Sequence, residues 1–401
     1  MGNPSFARLR VLDLSRYLPG GYATQVLADL GADVIKVEDT GLGDFCRHEH
    51  PQRGGMSYYI EALGRNKRSV ALDLKDADAH AAFMKLVEGA DVVVESFRPG
   101  VTKKLGIDYA AVRAVNPCIV YCSFSGYGQD DPRSQLPLHD LNMQAQSGYL
   151  SLNGGVKAPL HLCDLASSMV AAQSMLAALY DREISGEGRF IDVSMFDSFV
   201  WWNSLIDTRW GFQDESISED TIAFPERCCF YNIYETSDGG RLAFGLIEDK
   251  FWASFCEDAG VPELIDQPDD AYERMCALVA SRTLAEWEAW LADKDLCIAA
   301  VIDKNAASRS SWSASRPWWP TATSRAPGAC CRRTCRTPSP ACGPPSTTPS
   351  RRARPWGAHG EVLRDRGAHG GGAARAGLRR RRGGGASAPG RRALRVVRRR
   401  A

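Results

Sequence analysis

An α/β fold built on a parallel sheet is what the sequence predicts, and three observations predict it. Short apolar runs of strand length alternate with segments of helical period, glycine or polar residues mark the junctions, and the unit repeats over roughly 130 residues. "LRVLDLS" (Leu9–Ser15) is an apolar strand ending in polar residues. "GYATQVLADLGA" (Gly21–Ala32) has Val26, Leu27 and Leu30 on one face and Gly31 near the C-cap, which predicts a helix. "DVIKVE" (Asp33–Glu38) is the next strand. The unit recurs as strand Ser69–Leu74, helix Ala77–Gly89, strand Asp91–Phe97, helix Val101–Leu105 and strand Cys118–Gly128. No Gly-x-Gly-x-x-Gly follows the first strand, because "SRYLPGGY" does not fit it, so the dinucleotide fingerprint is missing. Alternation alone does not imply a nicotinamide cofactor.

Further on, Leu165–Tyr180 reads as an apolar helix, Ser185–Met195 as a turn and strand, and Phe199–Trp210 as helix and connection. "CFYNIYETSDGGRLAFGL" (Cys229–Leu246) reads as two strands around a Ser-Asp-Gly-Gly turn. Helices follow at Lys250–Ala259 and Ala271–Lys294. The expected organisation is a Rossmann-like large domain over residues 1–222, a smaller α+β domain over 223–303, and a tail over 304–401.

The net charge of +1 hides a split, for residues 304–401 carry 22 Arg, one Lys and two acids, leaving −20 on the rest. The tail has no apolar periodicity, and its Arg/Pro/Ala/Gly/Cys/Trp bias is what a GC-rich reading frame yields out of register. It reads as frameshifted, disordered text, and no nucleic-acid partner is expected from it. No signal-type segment and no run of about 18 apolar residues is read, so a cytoplasmic protein without a membrane partner is expected. The chain has 13 cysteines, but none in the body forms Cys-x-x-Cys and the vicinal pair Cys228-Cys229 cannot make a relaxed disulfide. They read as small buried hydrophobes in a reducing compartment. Without a His-Glu-x-x-His or a zinc-type spacing, no metal is expected.

Chemistry concentrates in "LHDLNMQAQSGYLSLNGGVKAPLHLCDLASS" (Leu138–Ser168). His139-Asp140 precedes a glycine-rich bend, and Asp164 stands just before the apolar helix. Two acid/base groups facing one substrate atom is one reading. The other makes Asp164 the N-cap of that helix, His139 an exposed or structural loop residue and Asp140 a turn-former or an orienter of backbone.

"VLADLGADVIKVE" (Val26–Glu38), "RNKRSVALDLK" (Arg65–Lys75), "ESFRPGVTKKLGIDY" (Glu95–Tyr109), "SFSGYGQDDP" (Ser123–Pro132) and "SGEGRFIDVSMFDS" (Ser185–Ser198) resemble the class III CoA-transferase (CaiB/BaiF) superfamily. The resemblance implies a Rossmann-like domain with a smaller α+β domain, an intertwined homodimer and an acyl-CoA thioester substrate, with no cofactor beyond that CoA. "HDLN" (His139–Asn142), "APLHLCD" (Ala158–Asp164) and "GLIEDKFW" (Gly245–Trp252) are similar to the α-methylacyl-CoA racemase branch. That branch implies that His139 and Asp164 exchange the α-proton and that Glu248 supports the histidine. The transferase branch implies instead that Asp164 attacks the thioester and forms an acyl anhydride.

Both routes suit the residue types. An α-proton beside a thioester is a weak acid, so its removal needs a poised base and stabilisation of the enolate oxygen, for which backbone N–H groups at the start of the helix after Asp164 are candidates. An imidazole with its ordinary pKa of about 6.5 suits a base, whereas Asp164 must be raised by its surroundings to serve as the opposite acid. Glu248, entering the helix at Lys250, also reads as a favourable charge for the helix dipole. The phosphates of CoA demand cations and its adenine an apolar wall; Lys36, Arg47, Arg65, Lys67, Arg68, Arg98, Lys103 and Lys104, with Leu72, are the candidates. A non-catalytic acyl-CoA- or polyanion-binding protein is the rival from a different class. Met143, Met169, Phe196, Trp201 and Trp202 are candidates for an acyl pocket, or simply core.

Overall fold

The computed structural model describes residues 6–212 and 227–303; the expectation of a frameshifted tail from about residue 304 lies outside them. In chain order the elements are β1 (Arg10–Leu14), α1 (Tyr17–Asp29), β2 (Asp33–Glu38), β3 (Gln52–Arg53), β4 (Met56–Ser57), α2 (Tyr58–Leu63), β5 (Lys67–Ala71), α3 (Ala77–Val87), β6 (Val92–Glu95), α4 (Val101–Lys104), α5 (Tyr109–Val115), β7 (Val120–Ser125), α6 (Asp140–Gln146), α7 (Tyr149–Leu152), α8 (Leu162–Ser185), β8 (Arg189–Ser194), α9 (Met195–Val200) and α10 (Ser204–Phe212). Beyond residue 226 come β9 (Tyr231–Glu235), β10 (Arg241–Gly245), α11 (Asp249–Asp258), α12 (Ala271–Val279), α13 (Leu284–Leu291) and β11 (Ile298–Ala300).

The large sheet has the order β5-β2-β1-β6-β7-β8, and every pairing in it is parallel. Its central strands β1, β2, β6 and β7 are buried on both faces, as a sheet covered on both sides requires, while the edge strands β5 and β8 are polar and partly exposed. Val11, Val34, Val92, Val94 and Cys122 pack with Ala23 and Leu27 of α1 and Ala171 and Met175 of α8. Leu12, Ile35, Val93 and Tyr121 point the other way, onto Phe83 and Val87 of α3 and Val112 of α5. The chain moves outward from β1 through β2 to β5, then returns to place β6 on the other side of β1. That reversal makes a crevice at the carboxyl ends of the strands, where open α/β sheets take their ligands.

The Pro-Gly-Gly that fails the dinucleotide fingerprint has a packing reason. A Cβ at Gly20 would lie 2.2 Å from Cβ of Ser15, so the first turn of α1 closes on the end of β1 only with glycine there. Beneath it sits a buried ionic knot. Asp13, with no exposed surface, faces Lys67 Nζ at 3.2 Å and Lys36 Nζ at 3.6 Å, and accepts a hydrogen bond from Thr24 Oγ1 at 2.6 Å. Burial alone would raise its pKa, but the two ammonium groups and the hydroxyls of Ser15 and Thr24 hold it at about 2.

The second sheet, β11-β10-β9, is antiparallel and has its own core, in which Trp252, Phe255, Met275 and Trp287 are buried. The helix expected over Ala271–Lys294 is two helices, because Thr283 caps α13 in a box with Glu286. The hairpin is as expected; α5 and the third strand β11 were not. α8 is long and apolar enough to cross a membrane by length and composition, contrary to the expectation that no such run exists. It packs instead on α1 and the sheet, with half of its apolar window buried.

Asp13→Asn removes the one charge that Lys36 and Lys67 share. Urea unfolding of the variant is expected to show a loss of about 3–5 kcal/mol, the usual cost of breaking a buried pair; a loss below about 1 kcal/mol would show that the knot is not holding β1 to α1.

Candidate active site

Asp140 is the residue around which the site is arranged. It is the first residue of α6 and is 7 % exposed. Its Oδ1 accepts from the backbone N–H of Cys163 at 2.7 Å and of Asp164 at 3.2 Å. Its Oδ2 accepts from Gln144 Nε2. The carboxylate therefore caps the N-terminus of α8 from a different helix. This corrects one expectation: α8 begins at Leu162 with His161 at the N-cap position, so Asp164 is not the cap but lies in the first turn. Of the two structural readings of Asp140, its bonds to two backbone amides fit the orienter of backbone and not the turn-former. The geometry also removes the expected amides for an enolate, since those of Cys163 and Asp164 are engaged by Asp140 and that of Leu165 by the His161 carbonyl. They are not free for an enolate.

Asp164 is held in an unusual state. A carboxylate in the first turn of a helix is normally favoured by the helix dipole. Here burial dominates, with the charge of Asp140 adding to it, and together they push the Asp164 carboxyl up to about 7. An imidazole stands beside it. The ligand atoms of Asp140, His161 and Asp164 all lie within 4.8 Å of one another, with His161 Nδ1 at 3.9 Å from Asp140 Oδ2. Both oxygens of Asp140 are already taken by amide donors, which leaves this trio poorly suited to a cation.

The imidazole that the structure brings into this cluster is thus His161, which the sequence reading quoted inside "APLHLCD" but did not single out. His139 is exposed at the N-cap of α6, its backbone N–H accepted by Asn142 Oδ1 at 3.0 Å. Glu248 is exposed at the N-cap of α11, beyond the second sheet's hairpin. Met143 is core, packed with Cys163, Ala166 and Phe199, whereas Trp201 and Trp202 are exposed.

A cavity of about 350 Å³ lies in the crevice over the ends of β1, β2 and β6, lined by Leu14, Arg16, Glu38, Leu72, Lys75 and Phe97 among others. Arg16 projects its guanidinium over Phe97 at 5.4 Å. A smaller one of about 170 Å³ shares Lys36, Glu38 and Asp44 with it and adds Tyr17, Arg47, Lys67 and Arg68. Tyr17 opens α1 with φ of +59°, a conformation that costs a non-glycine residue of order 1–3 kcal/mol and gathers at functional sites. The start of α1 also reaches the cluster, since Pro19 O accepts from Ser168 Oγ at 2.7 Å, one turn beyond Asp164.

Of the eight expected CoA cations, five are occupied by protein acids. Lys36 pairs with Asp13 and Asp44, Arg47 with Glu38, Arg65 with Asp29, Lys67 with Asp13 and Arg68 with Asp33. Arg98, Lys103 and Lys104 are exposed and, among the described residues, have no ion pair. Leu72 lines the larger cavity, as do Lys75 and Phe97, which sequence reasoning missed.

The chain belongs to CoA-transferase family III, whose profile matches residues 6–359. It is 34% identical over 305 residues to the succinyl-CoA:mesaconate CoA-transferase of Haloarcula hispanica, covering 72% of this chain and 76% of that one. It is 31% identical to the human α-methylacyl-CoA racemase, covering 73% and 77%. A CaiB/BaiF family protein from Brucella suis superposes with a TM-score of 0.67 at 26% identity, covering 77% of this chain and 86% of that one. The aligned stretch spans between 66% and 76% of the first relatives' own length. More of the relatives are named CoA-transferases than racemases. The protein is an enzyme of this CoA-transferase and racemase family.

The raised Asp164 has a sign that can be checked. Its pKa is about 7 when folded and about 3.9 when unfolded. Between those values the native state holds a proton that the unfolded state has released, so this contribution is full below about pH 4 and is lost as pH rises to about 7. Asp164→Asn removes the loss. Its Tm should match wild type at about pH 4 and exceed it by roughly 2–6 °C at pH 8; a variant less stable than wild type at pH 8 contradicts the assignment.

Proposed function

We propose that the protein binds an acyl-CoA thioester with its nucleotide end in the larger cavity, and that Asp164 with an imidazole exchanges the proton on the α-carbon of a 2-methylacyl group. The observation that carries this reading is a half-buried carboxyl whose pKa is raised to about 7 in a cluster with the exposed His161. A group of that pKa is present in both protonation states at neutral pH, so it can take a proton or return one. Leu72 and Phe97 would flank the adenine, and Lys75, Arg98, Lys103 and Lys104, which no acid among the described residues pairs, would meet the phosphates. Asp140 would hold Asp164 in place. His161 and His139 are the candidates for the opposite face, and Glu248 for support of the imidazole.

CoA transfer between carboxylic acids is the second reading, favoured by the names of most relatives. In it Asp164 attacks the thioester carbonyl, the C–S bond breaks and CoA leaves as thiolate. The acyl group stays on Asp164 as a mixed anhydride until CoA adds to it again after exchange of the carboxylic acid. At neutral pH enough of Asp164 is ionised for that chemistry too.

The two separate in D₂O. With a 2-methylacyl-CoA and no acceptor acid, deuterium is expected at the α-carbon, and Asp164→Asn should lower its uptake by roughly 10²–10⁴-fold. Loss in His161→Ala with retention in His139→Ala assigns the imidazole to residue 161, and the reverse to 139. No uptake, with CoA moving only when a free carboxylate is supplied, contradicts the proton-exchange reading and supports transfer.

A further inference from the structure

We propose that Glu95 is a positioning residue whose two carboxylate oxygens fix the wall of the larger cavity against the loop that delivers His139 and Asp140. The proposal rests on the reading of that cavity as the CoA site.

Glu95 ends β6 and is only 2 % exposed, yet among the described residues no cation pairs with it. Its hydrogen bonds run in two directions instead. Oε2 accepts from the backbone N–H of Phe97 at 2.7 Å, and Phe97 lines the larger cavity. Oε1 accepts from Ser123 Oγ, the residue directly across in β7. Ser123 Oγ in turn accepts from Gln129 Nε2 at 2.9 Å. The backbone N–H of Gln129 is held by Asp192 Oδ2 at 2.8 Å, and Asp192 pairs with Ser123 across β7 and β8. Gly128, with φ of +88° and a Cβ position only 3.3 Å from Asp192 Oδ2, lets the chain turn over that carboxylate.

Glu95, Ser123 and Asp192 thus form one row across the ends of three adjacent strands. Gln129 is seated on this row, and ten residues later the same loop reaches His139. A second, exposed tie joins the loops at the surface, where Gln135 Nε2 donates to Pro99 O at 3.2 Å.

The row works only if residue 95 accepts on both sides. Ser123 has given one lone pair to Gln129, and its proton goes to Glu95; Phe97 gives its amide proton to the other oxygen. A glutamine is the same size and can keep the Phe97 amide on its oxygen while its Nε2 donates to the second lone pair of Ser123. The Ser123 proton then loses its acceptor and the row its charge. Glu95→Gln therefore weakens the link without leaving a hole, and Ser123→Ala cuts it on the loop side outright.

Amide hydrogen exchange on the purified full-length chain, with and without saturating coenzyme A, reads the link without requiring turnover. In the wild type, CoA should slow exchange in residues 96–105 and also in 126–139. In Glu95→Gln and Ser123→Ala it should slow only 96–105, and kcat on an acyl-CoA should fall by roughly 10–100-fold while KM changes less than threefold in Ser123→Ala. Equal protection of 126–139 in the variants overturns the positioning role. So does a loss of Tm with kcat per folded enzyme unchanged. Absence of any CoA protection in the wild type overturns the CoA reading of the cavity, and this proposal with it.

Discussion

The carboxylate of Asp140 capping α8 is the interaction on which the rest of the site depends. A helix of 24 residues buried against the sheet brings unsatisfied amides to its first turn. One oxygen of Asp140, from another helix, accepts two of them. The bond does three things at once. It fixes where α8 begins, sets Asp164 in the first turn beside His161, and places a negative charge where it raises the Asp164 carboxyl. A side chain that belonged to α8 itself could satisfy the amides but would not join the loop after β7 to the helix.

The same economy of charge governs the crevice. Asp13, Lys36, Lys67 and Asp44 neutralise one another under the start of α1, and Glu38 holds Arg47. These groups shape the walls of two cavities without being free to hold a ligand's phosphates. Of the cations left over, Lys75 lines the larger cavity on the loop after β5, Arg98 lies in the loop after β6, and Lys103 and Lys104 end α4. Interior charge therefore serves architecture, and rim charge is left for recognition.

Much of this was legible in the sequence. Asp33–Glu38 is a strand from end to end, with Asp33 held by Arg10 and Arg68 at its amino end and Lys36 and Glu38 engaged at the crevice, and the valine run of β6 left no competing periodicity. The third strand Ile298–Ala300 is too short to show a pattern, and the break between α12 and α13 was signalled by Thr283-x-x-Glu286 but masked by continuous apolar spacing. At the site, Asp164 stood out and its position did not. Asp140 caps α8 from 23 residues away in sequence, and Lys67 meets Asp13 from 54 residues away. Local sequence carries no trace of such pairings, so it could not tell a committed cation from a free one or place His161 rather than His139 in the cluster.

The central claim is that burial and a neighbouring carboxylate hold Asp164 near neutrality, and its own titration tests that most directly. Carboxyl ¹³C NMR of aspartate-labelled protein should show Asp164 with a midpoint of about 7. In Asp140→Asn, where the side-chain oxygen still accepts the two amides but carries no charge, the midpoint should fall while α8 stays intact. A midpoint near 4 in the wild type, or one that does not respond to removal of the Asp140 charge, would contradict the account.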